Sequence, residues 1–239
     1  MKLIFLHYFG GGPRSWDGVI SLLPDFDCRA LDLREAGRLP TGYSVGEAAG
    51  DVLEMLGEMD QPWVLVGHSM GGKIALEIAS RQPANLRGCV LIAPSPPTPE
   101  PMTNAQRQSM LEGHGTREAA ERIVKDAAQA PLSPRQWEIA IAANLAYDER
   151  DWENWIKIGT REDISAQMPH IIVPMLVVAG ERDKGMPPEF LRAEIIATIP
   201  RTHLETLGGT GHLVPQVKPD ETANLLRDWV EQLPAPALV

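Results

Sequence analysis

Residues Trp63-Val64-Leu65-Val66 form an apolar run that stops at Gly67, and a helical pattern begins just beyond Ser69, with Ile74/Ile78 and Ala75/Ala79 spaced i, i+4. A strand, a tight turn and a helix therefore follow one another without a spacer. A hydroxyl at the tip of so sharp a turn stands clear of its neighbours, which demands a strained backbone and nothing bulky beside it. Gly67 and Gly71 supply that space. Ser69 also precedes the first helical turn, where free N–H groups and the positive end of the helix dipole favour a developing anion. The Met70 N–H is the natural first donor to that anion.

The same alternation runs along the chain. A buried strand is expected over residues 3–6, broken by His7-Tyr8-Phe9-Gly10-Gly11-Gly12-Pro13. Ser15 is expected to cap a helix that runs to residue 23 and ends at Pro24. A second strand over 28–33 leads into a loop over 34–42, and Ser44-x-x-Glu47 is a capping box for a helix over 45–59. Third and fourth strands fall at 62–66 and 88–93, with the helix after Ser69 ending near Pro83. Repeated strand–helix–strand crossovers imply a parallel sheet covered by helices on both faces. From about residue 103 to 164 only helical patterns occur, among them 118–125, 134–147 and 151–158. A strand at 174–179, a helix at 188–199, a strand at 203–207 and an amphipathic helix at 219–233 complete the chain. The expected organisation is a core over 1–95, a helical insertion over 96–168 and the rest of the core over 169–239.

A chain of 239 residues, 44% of them hydrophobic, suits one domain with an insertion and a large core. Its formal net charge of −10 argues against nucleic-acid partners and anionic membrane surfaces. Cys28 and Cys89 fall in separate expected strands, where cysteines pack as small apolar residues, so a reducing compartment is allowed. The apolar run after Lys2 is about five residues, shorter than a signal peptide requires, and no run approaches a membrane span. The expectation is a cytoplasmic protein. His114, His170 and His203 have no metal-ligand spacing, and no metal or other cofactor is expected. Gly10-Gly11-Gly12 lacks the Lys-Ser/Thr of a phosphate loop and the spacing of a dinucleotide fingerprint.

Gly67-His68-Ser69-Met70-Gly71-Gly72 after an apolar strand resembles the nucleophile elbow of the α/β-hydrolases. The resemblance implies an α/β-hydrolase fold: a mostly parallel sheet of about six strands, helices on both faces, and a helical cap inserted after the fourth strand. It implies a base and an orienting acid for Ser69. Gly208-Gly209-Thr210-Gly211-His212 follows the last expected strand, at the carboxyl end of the sheet where sites of open α/β folds gather, and is similar to the family's histidine loop. Gly180-Glu181-Arg182-Asp183 follows the preceding strand, and Gly-x-x-Asp there is the family's usual acid. Asp183 is then the acid, with Glu181 the competing carboxylate. The order Ser69, Asp183, His212 suits this fold. Matching His7-Tyr8-Phe9 to the family's His-Gly-x makes Phe9 the second oxyanion donor after Met70. Tyr8 replaces the usual glycine and could aim its hydroxyl at the site. His7 and His68 are expected to anchor loops.

Of Trp137, Trp152 and Trp155 in the helical block, the last two share a helix face with Ile156 at i, i+3, i+4. They either pack the block onto the sheet or line an apolar acyl pocket, and Met102 and Met110 face the same choice. The activity this implies is hydrolysis of a carboxylic ester of a small apolar molecule through an acyl-enzyme. Perhydrolysis, lactone opening and carbon–carbon cleavage use the same three residues, and a small-molecule receptor keeps them too. Serine at position 69 disfavours dehalogenase or epoxide hydrolase chemistry, which places aspartate there. The oligomeric state is not legible.

Overall fold

In the computed structural model, which describes residues 1–36 and 44–234, six strands form one sheet: β1 (Lys2–Leu6), β2 (Asp27–Leu31), β3 (Trp63–His68), β4 (Leu86–Ile92), β5 (Met175–Gly180) and β6 (Thr202–Leu207). The order across the sheet is β2-β1-β3-β4-β5-β6, and every neighbouring pair is parallel. The chain adds β2 on one side of β1 and all later strands on the other. The carboxyl edge between β1 and β3 is thus the point where the winding reverses, and loops leaving it diverge to leave a crevice.

The helices follow the expected alternation. Those up to β4 are α1 (Asp17–Ile20), α2 (Leu33–Ala36), α3 (Val45–Leu56) and α4 (Met70–Ser80). Between β4 and β5 come α5 (Asn104–Glu112), α6 (Arg117–Ala128), α7 (Pro134–Leu145) and α8 (Glu149–Lys157). Then come α9 (Pro188–Leu191), α10 (Val214–Val217) and α11 (Pro219–Glu231). Successive strand side chains alternate between faces. Ile4, Leu6 and Leu65 pack with Val52 of α3, Ile74 of α4 and Leu191 of α9. Leu3, Phe5 and Val64 pack with Val19 of α1 and Leu226 of α11 on the opposite face. Covered on both sides, β1 and β3 read as uninterrupted apolar runs. Among the described residues, no helix is long and apolar enough to cross a membrane.

The structure departs from the sequence expectations at several element ends. Ser15 is not an N-cap. The first turn opens earlier, at Pro13, as a 3-10 turn (Pro13–Trp16), and the Ser15 hydroxyl accepts the Gly12 N–H at 3.3 Å. Strand β2 stops at Leu31 because Asp32 accepts the Arg34 N–H at 3.1 Å and opens α2 where a loop was expected. The rest of that loop, residues 37–42, lies outside the described residues. Helix α3 has the expected Ser44–Glu47 capping box but ends at Leu56, where Gly57 takes φ 63°. Thr103 and Gln106 form a second capping box that opens α5. Cys28 and Cys89 are free and sit on β2 and β4, separated in the sheet by β1 and β3.

Candidate active site

Ser69 occupies the turn between β3 and α4 with φ 53° and ψ −115°, a region L-residues rarely enter. The neighbouring glycines hold it there. A Cβ on Gly71 would stand 2.6 Å from the Leu6 carbonyl oxygen and 2.7 Å from that of His7, so α4 packs directly on the backbone at the end of β1. The Ser69 N–H donates to Ile92 O at 3.0 Å, and Ser69 O accepts the Ser95 N–H at 3.0 Å, tying the turn to the end of β4. Met70 opens α4, so its N–H is among those a helix leaves without an intrahelical partner. Leu6 pairs in register with Gly67, so residues 7–9 and 68–70 leave the sheet side by side.

The loop after β6 brings His212 over this turn. Its Nε2 is 2.7 Å from Ser69 Oγ and its Nδ1 is 2.7 Å from Asp183 Oδ2. A carboxylate only accepts, so Nδ1 carries the hydrogen and Nε2 is free to accept from the serine hydroxyl. Asp183 Oδ1 accepts the N–H groups of Gly185 and Met186 at 2.9 and 3.0 Å. Burial alone would raise the Asp183 pKa, but His212 and these two N–H groups more than offset it, and the carboxyl stays below its usual range. Burial likewise works against the charged form of His212. Asp183 and, more weakly, Glu100 overcome it, and the imidazole pKa lies above its ordinary value. Glu181, the competing carboxylate, points elsewhere: its Oε2 accepts the Gly209 N–H at 2.9 Å and braces the base of the histidine loop.

The remaining histidines near the turn hold backbone. His7 Nδ1 bonds the Tyr8 carbonyl at 2.8 Å and its Nε2 accepts the Leu33 N–H at 3.0 Å. His68 Nε2 bonds the His212 carbonyl at 2.8 Å. Burial, reinforced by His212, pushes the His68 pKa down to about 3, so it is a neutral donor that steadies the histidine loop. The end of α6 steadies the same loop, because the Ala128 and Ala127 carbonyls accept the N–H groups of Gly211 and His212 at 2.9 and 2.7 Å.

Ser69, Asp183 and His212 face a cavity of about 550 Å³. Phe9, Trp152, Trp155, Met102 and Met110 supply apolar wall. The Phe9 ring lies 4.3 Å from that of Trp152 and 6.4 Å from that of Trp155. Tyr8 lines the cavity with its ring, 5.0 Å from the His68 ring. Its hydroxyl is fully buried beside Ser15 and makes no hydrogen bond to Ser69. Trp137 does not reach the cavity. It packs against the cluster that includes Val124, Ala140 and Ile141, because its position on α7 turns it toward α6. Among the described residues, no group of three or more His, Cys, Asp or Glu side chains is placed to hold a metal ion.

Two charged residues of this region were not singled out from the sequence. Lys73 on α4 is wholly buried, and its Nζ donates to the carbonyls of Thr98, Gly159 and Glu162 at 3.2, 3.3 and 2.5 Å. Burial pulls its pKa down to about 8 against the pull of Glu100, Glu162 and Asp163. Glu100 stands in the cavity wall after β4. Its N–H donates to Thr160 O at 2.8 Å, and its carbonyl accepts from Met102 N at 2.7 Å and Arg107 Nη2 at 3.2 Å. Burial pushes its carboxyl pKa up, against a hydrogen bond from Ser95 and the charges of Lys73, His212 and Arg107. The one available signal was a lone acid inside Pro97-Thr98-Pro99-Glu100-Pro101, directly after a buried strand.

A family model described as the alpha/beta hydrolase family matches residues 3–225. The chain is 27% identical over 256 residues to an uncharacterized hydrolase, YugF, of Bacillus subtilis, with 96% of this chain and 89% of the relative covered. It is 27% identical over 247 residues to a pimeloyl-[acyl-carrier protein] methyl ester esterase of Aromatoleum aromaticum, covering 95% and 97%. Its fold is similar to that of an esterase from Exiguobacterium antarcticum, with a TM-score of 0.84, 20% identity, and 97% and 92% of the two chains covered.

Proposed function

The chain belongs to the alpha/beta hydrolase family, and within that family we propose that it cleaves a carboxylic ester of a small, largely apolar molecule through a Ser69 acyl-enzyme. The observation that carries this is the unbroken path Ser69 Oγ–His212 Nε2, then His212 Nδ1–Asp183 Oδ2, at 2.7 Å each. The strained backbone at Ser69 supports it, since packing alone gives no reason to hold a serine at φ 53°. The methyl ester esterase among the relatives supports the ester class.

In this reading Ser69 Oγ attacks the ester carbonyl as His212 Nε2 takes its proton. Asp183 holds the imidazole by its Nδ1–H and stabilises the imidazolium. The N–H groups of Met70 and Phe9 receive the oxyanion, and each such donor contributes about 10²–10³ in rate. His212 returns the proton to the leaving alcohol. A water that gives its proton to His212 then attacks the acyl-enzyme, and collapse frees the acid and Ser69. Residues 96–168 act as a cap whose aromatic and methionine side chains set which acyl or alcohol group fits. The apolar wall of Phe9, Trp152, Trp155 and Met110 supports that role.

The test is turnover of p-nitrophenyl butyrate together with labelling by a fluorophosphonate. Wild-type protein is expected to do both, and Ser69→Ala neither. Equal turnover by the two proteins removes Ser69 from the chemistry.

A further inference from the structure

The carboxyl of Glu100 has no task in the ester mechanism, yet it sits in the wall of the same cavity as Ser69 and His212. Its backbone is fixed from both sides, by Thr160 on one and by Met102 and Arg107 on the other. The Ser95 hydroxyl lies beside its carboxyl. A carboxylate offers about four lone-pair positions, so one hydroxyl leaves most of its accepting capacity open. The nearby cations do not use that capacity. Lys73 Nζ is committed to three backbone carbonyls, and Arg107 to Thr160 Oγ1 and the carbonyls of Ile156 and Glu100. Among the described residues, Glu100 forms no ion pair. The other charged cavity residues are Asp183, occupied by His212, and Asp126 and Lys184, which are exposed at the rim.

An accepting group in a mostly apolar wall is a selectivity element, because a substrate that leaves it unmatched loses affinity and one that brings like charge is repelled. The geometry points to Glu100 as a specificity-determining residue of the Ser69 site: its carboxyl receives a cationic or hydrogen-bond-donating group of the substrate and excludes esters that carry a carboxylate there. This rests on the ester reading above and narrows it to esters that place a cationic or hydrogen-bond-donating group near the scissile bond.

Three matched butyrates test it: butyrylcholine, its neutral isostere 3,3-dimethylbutyl butyrate, and carboxymethyl butyrate. A second set carries the same charges on the acyl side. Hydrolysis is followed by pH-stat from pH 6 to 9. Wild-type protein is expected to favour the cationic over the anionic ester by about 10² in kcat/KM in at least one set, and Glu100→Gln to reduce that ratio at least about tenfold. Glu100→Asp, which keeps the charge, retains the preference. Lys73, with a pKa of about 8, titrates within this range, so the ratio is compared between the two proteins at each pH, where His212, Asp183, Lys73, Arg107, Asp126 and Lys184 are common to both. Should Glu100→Gln fold poorly, Glu100→Ala carries the same comparison.

An active enzyme whose charge ratio is the same in wild type and Glu100→Gln overturns the proposal and leaves the ester reading intact. Absence of turnover on every ester overturns the ester reading instead. Selectivity is then read from Trp152 and Trp155 fluorescence on titration with butyltrimethylammonium and with pentanoate. Equal binding of the two, or a difference that survives Glu100→Gln, overturns the proposal.

Discussion

Lys73→Met isolates what a buried charge does to this fold. Lys73 sits on the second turn of α4, four residues after Ser69, and clasps the carbonyls of Thr98, Gly159 and Glu162. It therefore joins α4 to both stems of the helical block. Its pKa is about 8 in the folded chain against 10.5 for a free lysine. Below pH 8 both states hold the proton and the term is constant. Between these two values the unfolded chain holds more proton than the folded one, so raising the pH favours folding. Above about 10.5 the term is constant again, and its full size is about 3 kcal/mol. Methionine has nearly the same reach and no proton to lose, so the variant lacks this term while sharing every other titration. Urea unfolding of both proteins at half-unit steps from pH 7 to 10.5, followed by tryptophan fluorescence, gives the difference directly. Stability of wild type minus Lys73→Met is expected to be flat to about pH 8 and then to rise by about 2–3 kcal/mol. A difference that stays flat or falls refutes the assignment of a buried, charge-strained ammonium.

Asp183→Asn keeps the size of the orienting group but supplies an amide where His212 needs an anion, and kcat is expected to fall by about 10³–10⁴; Glu181→Gln, at the carboxylate that accepts the Gly209 N–H, is expected to stay within about threefold on the same ester. His212 must be unprotonated to act as base and its pKa is held above the ordinary value, so kcat/KM of the wild type is expected to fall as pH drops through a midpoint above about 6.5, and a midpoint below that value contradicts the Asp183 field. Gly71→Ala drives a methyl into the Leu6 and His7 carbonyls; a loss of more than about 3 kcal/mol, or no soluble protein, is expected, and a thermal unfolding midpoint near wild type would show that α4 can move off β1.

The parts of this protein that were legible in its sequence are those fixed by neighbours along the chain. The apolar runs of β1, β3 and β5, the Ser44–Glu47 cap and the glycines about Ser69 report local requirements of strand, helix end and strained turn, and each lies within a few residues of where its pattern falls. The parallel sheet followed, because strands joined by crossover helices have few other ways to pair. Proximity across the chain was not legible in the same way. That Asp183 rather than Glu181 meets His212 depends on the exit angles of β5 and β6, set by their pairing and by the bonds from Gly185 and Met186. The hold of Ala127 and Ala128 on the histidine loop, the turning of Trp137 away from the cavity and the committed ammonium of Lys73 join residues with no shared periodicity. Glu100 shows the difference most clearly. In the sequence it is one acid among 32 Asp and Glu residues, and only the fold half-buries it in the wall of the Ser69 cavity. Hydrophobic pattern and turn chemistry act over a few bonds and can be read in one dimension. Desolvation and electrostatic fields act through space, and only the assembled fold decides which groups feel them.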